Sequence, residues 1–137
     1  MIALNDSTDV CIVMDIFIKR DLIGEMLDFA KEKHPNESLL LIRGNIKHES
    51  IRITDYQFPP YTSTDSFSAS YPLYMLPIDF SVMGTAHSHP NGVLELSVQD
   101  ITDFYGRVSL LMAYPYGFEN VACFNKSGKR LNLSIED

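Results

Sequence analysis

Runs of apolar residues divide the first third of the chain into alternating strands and helices. β-branched residues dominate residues 10–18, which predicts a strand, and apolar residues then recur at helical spacing over residues 19–33. Pro35 ends this helix. Residues 37–44 form a continuous apolar run that a glycine closes, as in a central strand, and residues 51–58 have the pattern of a neighbouring strand. We expect these two strands to pair.

Residues 59–77 interrupt this pattern because they are rich in Ser, Thr, Tyr and Pro and have no clear period. A connection of this length inside a compact domain is usually functional or disordered. Strand character resumes at residues 82–87, and a helix is predicted at residues 97–105. Three further strands are predicted, at residues 108–114, 121–124 and 131–135. The order β-α-β-β-loop-β-α-β-β-β favours an α/β sandwich with a mixed sheet.

The length and composition are those of one ordinary globular domain. The chain has 137 residues, 45% of them hydrophobic and 21% charged, and we find no internal repeat and no linker. We therefore predict a single domain, residues 1–137, in which any active site must be part of the core fold.

The charge is acidic, with 11 Lys and Arg against 18 Asp and Glu and a formal net charge of −7. This balance argues against nucleic acid as a partner. Neither Lys nor Arg occurs between Arg52 and Arg107. Such an acidic middle suits a cation site or a basic partner, although solubility explains it equally well.

The two cysteines and the N-terminus favour a cytoplasmic protein. Cys11 and Cys123 lack the spacing of a zinc knuckle or a disulfide framework, which predicts free thiols in a reducing compartment. The N-terminus has no basic region before an apolar one, and the first apolar stretch is short and interrupted by Asp15. We expect no targeting segment and no membrane span.

Two histidines one residue apart, His87 and His89, form a candidate metal site. Residues two apart on a strand point to the same face, so both imidazoles can approach one ion. Zinc in a catalytic site needs a third protein ligand and leaves a fourth position for water. No histidine follows His89, so the third ligand is expected to be a carboxylate. Asp100, 11 residues after His89, is the best placed; Glu95 and Asp103 are weaker candidates.

The segment Ser97-Val-Gln-Asp100 also has a purely structural interpretation. A serine followed three residues later by an acidic residue, before an apolar run, is typical of a capping box at the start of a helix. The two interpretations are compatible, because Ser97 can begin the helix with its hydroxyl directed toward a metal while Asp100 reaches the same point one turn later.

The full spacing, His87-x-His89-x7-Ser97-x-x-Asp100, resembles the signature of the JAMM (MPN-plus) zinc metalloproteases. Residues 34–44 resemble the family's element that carries a catalytic glutamate, here Glu37. The resemblance spans about residues 10–133 and is greatest to the short stand-alone archaeal and bacterial members. It implies an MPN-like (cytidine-deaminase-like) sandwich with a mixed, mostly antiparallel sheet flanked by helices. One departure is Ser38-Leu39-Leu40, where many relatives have small residues.

The resemblance also implies a mechanism. Zinc would be held by His87, His89 and Asp100, with water as fourth ligand. Glu37 would act as general acid and base, and Ser97 would stabilise the oxyanion formed during amide or isopeptide hydrolysis. The other zinc enzymes that we considered lack their motifs here: the chain has neither the H-x-E and P-C-x-x-C of nucleobase deaminases nor HExxH. Neither cysteine has a nucleophile-like context.

The implied substrate is a ubiquitin-like or sulfur-carrier small protein with a flexible C-terminal tail, joined to an amine. Residues 59–77 are expected to hold that tail through four aromatic side chains, Tyr61, Phe67, Tyr71 and Tyr74. The alternative is an MPN-type interaction scaffold that does not cleave, with a structural zinc or no metal. The sequence leaves the oligomeric state and the identity of the modifier open.

Overall fold

The fold is described from a computed structural model, in which residues 14–59, 63–64, 69–70 and 79–137 are defined. The order of elements follows the predicted one, with a pair of two-residue antiparallel strands added between the third and fourth predicted strands. The strands are β1 (Asp15–Lys19), β2 (Leu39–Lys47), β3 (Ser50–Gln57), β4 (Ser63–Thr64), β5 (Ala69–Ser70), β6 (Val82–His89), β7 (Val108–Ala113), β8 (Val121–Phe124) and β9 (Arg130–Glu136). The helices are α1 (Arg20–Lys33), α2 (Val98–Thr102) and a 3₁₀ turn at Phe118–Asn120.

Helix α1 forms where the sequence pattern predicts it. Its buried residues recur at helical spacing on one face, at Ile23, Met26, Leu27 and Ala30. Pro35 follows the last turn, so the helix stops at Lys33. Within the described residues, no helix combines the length and the apolar character needed to cross a bilayer.

The main sheet closes on itself, in the order β9-β1-β3-β2-β6-β7-β8. Strand β9 joins the two ends, because it pairs with β1 in parallel and with β8 in antiparallel orientation. Four of the seven pairings in this sheet are antiparallel among the described residues, including the expected pair β2 and β3. The mixed, mostly antiparallel α/β fold is therefore confirmed. The sandwich prediction did not include the closure of the sheet, which becomes a barrel because β9 is paired along both edges.

The two faces of the sheet have different roles. One face packs against α1 and forms the main core, which contains Leu40, Ala86 and Leu110. The other face carries a smaller cluster of Leu111, Ala122 and Phe124. Because side chains alternate along a strand, His87 lies on the face of its pairing partner Leu111, opposite to the main core. The histidines are therefore presented away from α1.

Two element boundaries differ from the prediction near the histidines. Strand β6 continues through His89 and stops before Pro90, which cannot donate to a ladder. Helix α2 stops at Thr102, three residues before the predicted end, because the chain leaves it through Asp103 and turns at Gly106. Gly106 has φ +82° and lies against the Met83 carbonyl, a position that a Cβ atom could not share.

Candidate metal centre

Strand β6 places two buried imidazoles side by side. His87 is 8% and His89 7% exposed, and their ring centroids are 5.1 Å apart. Strand β6 lies between β2 and β7 and is paired along both edges, which makes its backbone a rigid support. The two rings are thus held at one end of a central strand, as the spacing predicts.

A turn after His89 returns the chain to the histidines. Gly92 has φ +82° and donates its N–H to the His89 carbonyl at 3.1 Å, and the side chain of Asn91 accepts from the Val93 N–H at 3.0 Å. Leu94 and Leu96 then pack against the smaller apolar cluster. This apolar anchoring fixes the segment that leads into α2.

Asp100, in the first turn of α2, completes a three-residue cluster. Its Oδ1 lies 3.2 Å from His87 Nε2 and its Oδ2 lies 3.0 Å from His89 Nε2. One potential ligand atom from each of the three residues lies within 4.8 Å of the others. Two imidazole nitrogens and a carboxylate are a common ligand set for zinc.

Polar groups behind the rings orient them. His89 Nδ1 lies 2.9 Å from the Val93 carbonyl, which can only accept, so Nδ1 carries the hydrogen and Nε2 faces Asp100. His87 Nδ1 lies 3.5 Å from the hydroxyl of buried Ser109. The sequence pattern did not identify Val93 or Ser109, because neither forms part of a recognisable spacing. Such outer partners are usual for metal-binding histidines.

The donor set fits a cation. His87 Nε2 is buried and makes no hydrogen bond to any of the described residues, although Asp100 Oδ1 is 3.2 Å away. A buried polar atom without a partner is costly. For His89, an Nε2 lone pair would face a carboxylate oxygen, which is unfavourable unless a proton or a metal ion lies between them. A metal ion at the convergence point would satisfy both nitrogens.

The predicted capping box is present as well. The Ser97 hydroxyl accepts from the Asp100 N–H at 3.1 Å, and the Ser97 N–H donates to Asp100 Oδ2 at 2.8 Å. The same Oδ2 contacts His89, so capping and convergence on the histidines occur together. The cap holds the carboxylate in place. The Asp100 side chain would therefore lose less conformational entropy when a metal binds.

The electrostatics of the cluster favour a negatively charged Asp100 and a protonated His89. Burial alone would raise the pKa of the Asp100 carboxyl, but the nearby His87 and His89 imidazoles and the Ser97 N–H hold that pKa far below its usual range. Burial alone would lower the pKa of His89, but Asp100, the Val93 carbonyl and the charge of Glu37 raise that pKa above its ordinary value. The carboxylate is therefore ionised, and protonation of His89 is more favourable than protonation of a free imidazole.

Glu37 lies near the histidines, just before β2 begins. Leu39, the first residue of β2, is the pairing partner of His87, and Glu37 precedes it by two residues. Glu37 is half-buried, and its charge contributes to the raised pKa of His89. The carboxylate is thus near the cluster without being one of the three converging groups.

The other residues that the sequence analysis considered are not part of the described metal cluster. Glu95 and Asp103 are exposed and do not belong to the cluster. Burial raises the pKa of the Cys123 thiol to about 12, so this thiol is unreactive near neutral pH. The predicted tail-binding residues lie outside the described residues, namely Tyr61, Phe67, Tyr71 and Tyr74.

Known proteins resemble this chain in sequence and in fold. The family model of prokaryotic homologues of the JAB domain matches residues 19–124. A curated protein of Haloferax volcanii, named a probable metalloprotease, is 36% identical over 138 residues, which cover 90% of this chain and 86% of the relative.

Solved structures show the same fold. A JAB1/MPN domain protein of Archaeoglobus fulgidus is 27% identical, with a TM-score of 0.63, and the match covers 88% of this chain and 98% of the other. A second structure, described as a JAMM metalloprotease-like zinc site in the proteasome and signalosome, is 24% identical with a TM-score of 0.62, over 91% of this chain and 99% of the other. Because the family model spans most of the chain, this protein belongs to the JAMM family, among the prokaryotic homologues of the JAB domain.

Proposed function

We propose that this protein is a zinc metalloprotease that hydrolyses the amide or isopeptide bond after the C-terminal tail of a ubiquitin-like or sulfur-carrier small protein. The observation that carries the proposal is the convergence of His87, His89 and Asp100, with the buried His87 Nε2 lacking a hydrogen-bond partner among the described residues. The name of the Haloferax volcanii relative, a probable metalloprotease, supports the same activity class.

His87, His89 and Asp100 would hold the metal. Three protein ligands are the usual number in catalytic zinc sites, whereas structural sites close all four positions with protein atoms. When bound, zinc would acidify a water molecule and polarise the carbonyl of the bond to be cleaved. Three protein ligands would leave one position for water, which favours an enzyme over the alternative, a scaffold with a structural zinc.

Glu37 is assigned as the general acid and base. It precedes Leu39, the pairing partner of His87, by two residues, its charge acts on His89, and it is not among the three converging groups. It would accept a proton from the attacking water and deliver it to the leaving amine, so that the amide bond is replaced by a carboxylate and a free amine. A well-placed general base contributes about 10²- to 10⁴-fold to the rate.

Ser97 is assigned to the oxyanion that forms on the attacked carbonyl. Its Oγ accepts from the Asp100 N–H, and the hydroxyl hydrogen is not committed to any acceptor among the described residues. A hydroxyl can accept and donate at the same time. The exposed Ser97 can therefore cap α2 and still donate a hydrogen bond to a substrate.

We expect Ser97→Ala to retain stoichiometric zinc and to lower kcat by about 100-fold or more, because one oxyanion donor is lost. The free energy of unfolding should fall by about 1 kcal/mol, because the cap is lost too. Metal analysis, steady-state kinetics and thermal unfolding of the same sample measure these three effects. A loss of stability with unchanged kcat would leave Ser97 with only its capping role.

Zinc affinity should weaken as the pH falls. The pKa of His89 is raised in the metal-free chain, so the proton on this imidazole is bound below that raised pKa and must leave when zinc enters. Each displaced proton weakens the apparent affinity by about tenfold per pH unit below the pKa. Titrations against a chromophoric chelator at pH 6, 7 and 8 test this expectation. An affinity that does not change over this range would contradict it.

The activity is tested with purified protein of measured zinc content. Two substrates are compared, a ubiquitin-like protein and a sulfur-carrier protein, each joined through its C-terminal tail either to a lysine side chain or to a linear reporter. Cleavage that stops with a chelator and returns with zinc supports the proposal. Stoichiometric zinc without cleavage of any of these substrates would favour the scaffold instead.

A further inference from the structure

Two buried serines lie directly behind the candidate metal centre. Ser38 follows Glu37 in the chain, and Ser88 separates His87 from His89. They are 1% and 0% exposed, and Ser88 lies on the face of the sheet opposite to its neighbours His87 and His89, where the Ser38 hydroxyl contacts it. Neither serine takes part in the chemistry assigned above.

The Ser88 side chain replaces a ladder bond between strands. The Ser88 N–H donates to the Ser38 carbonyl at 3.1 Å, as in a regular antiparallel pair. The reciprocal donor, the Ser38 N–H, bonds to Ser88 Oγ at 2.8 Å instead of to a carbonyl. The Ser38 hydroxyl also donates to Ser88 Oγ, at 3.1 Å. One buried hydroxyl oxygen therefore receives two hydrogen bonds, which its two lone pairs allow.

This linkage lies where the regular ladder between β2 and β6 ends. The last regular pair is Leu39 with His87, and Ser38 and Ser88 are the next pair toward Glu37. The backbone that carries Glu37 is thus tied to the histidine strand through the Ser88 hydroxyl. Proton transfer requires the carboxylate within hydrogen-bond reach of its target, and a displacement of about 1 Å can lower a rate about 100-fold.

We propose that Ser88, with Ser38 as its partner, is a positioning residue that sets the placement of Glu37 relative to the metal ligands. This inference rests on the proposed function, because Glu37 acts only if the protein is a hydrolase. Ser88 holds the backbone of the general base while its neighbours hold the metal. The hydroxyl oxygen, and not the size of the side chain, is the group that matters.

The matched pair Ser88→Thr and Ser88→Val tests the hydroxyl directly, since the two side chains have the same branched shape and differ in the hydroxyl group. Both variants should bind stoichiometric zinc and show KM within about twofold of the parent. Ser88→Val should lower kcat about tenfold or more, whereas Ser88→Thr should stay within about threefold of the parent. Equal kcat values for the two variants would overturn the inference. If Ser88→Val does not fold, Ser38→Ala decides: it should lower kcat about threefold at unchanged KM, and an unchanged kcat would overturn the inference.

A second readout does not need catalysis. The charge of Glu37 acts on His89, so Glu37→Gln should weaken zinc affinity about threefold in the parent and in Ser88→Thr. In Ser88→Val, where Glu37 is no longer held, this effect should be smaller than in Ser88→Thr. An equal loss of zinc affinity in the parent, Ser88→Thr and Ser88→Val would overturn the inference. This readout applies even if the parent cleaves no substrate, a result that would overturn only the proposed function. A parent that binds no zinc would overturn both the inference and the proposed function.

Discussion

Glu37→Gln is expected to abolish hydrolysis while the protein still binds one zinc ion per chain. Glutamine keeps the shape of the side chain but cannot accept a proton from water, so the rate should fall by about 10²- to 10⁴-fold. The metal should stay because His87, His89 and Asp100 converge without Glu37. Single-turnover kinetics and metal analysis on one preparation measure both quantities.

Glu95→Gln is the matched control for this substitution. Glu95 is an exposed carboxylate on the segment between His89 and α2, and it lies outside the metal cluster. This variant should cleave at the rate of the parent. Loss of zinc from Glu37→Gln would reassign Glu37 as a metal ligand, and a rate close to that of the parent would leave the general base unidentified.

Asp100→Ala is expected to lose zinc, activity and thermal stability together. Asp100 contacts both imidazoles, so its removal leaves two ligands, too few for a zinc site of this type. At a zinc concentration about 1,000-fold above Kd, the bound metal stabilises the parent by about 4 kcal/mol, and this contribution disappears in the variant. His89→Ala should have the same effect on zinc and activity.

The loss of the helix cap must be separated from the loss of the metal, because Asp100 also accepts from the Ser97 N–H. Unfolding measured with excess chelator isolates the cap, and the difference between excess zinc and excess chelator isolates the metal. Asp103→Ala is the control, since Asp103 is exposed at the end of the same helix and is not in the cluster. If Asp100→Ala retains stoichiometric zinc, another carboxylate is the third ligand.

Local patterns were sufficient to predict much of the fold. The spacing of Ile23, Met26, Leu27 and Ala30 located α1, and the apolar run after Glu37 located β2, because helical and strand periodicities depend on residues that are near in sequence. The pairing of β2 with β3 followed from their short connection. The capping box was also predictable, since it depends only on the identities of Ser97 and Asp100.

The closed sheet could not be predicted in this way. Its closure depends on β9, which pairs with β1 across more than a hundred residues of chain, and no local pattern encodes such a contact. The early end of α2 also depends on a tertiary contact, because Gly106 turns the chain against Met83 and Gly84 of β6. The predicted tail-binding aromatics stay a prediction, since they lie outside the described residues.

By itself, the sequence determined the types of chemical group at the site and the strand alternation that puts His87 and His89 on one face. Only the tertiary structure decided their surroundings: the Val93 carbonyl behind His89, the contacts of Asp100 with both rings, and the serine pair beside Glu37. The physical reason is that alternation is a property of one strand, whereas a distance of about 3 Å between ligand atoms depends on how neighbouring strands and a returning loop pack together.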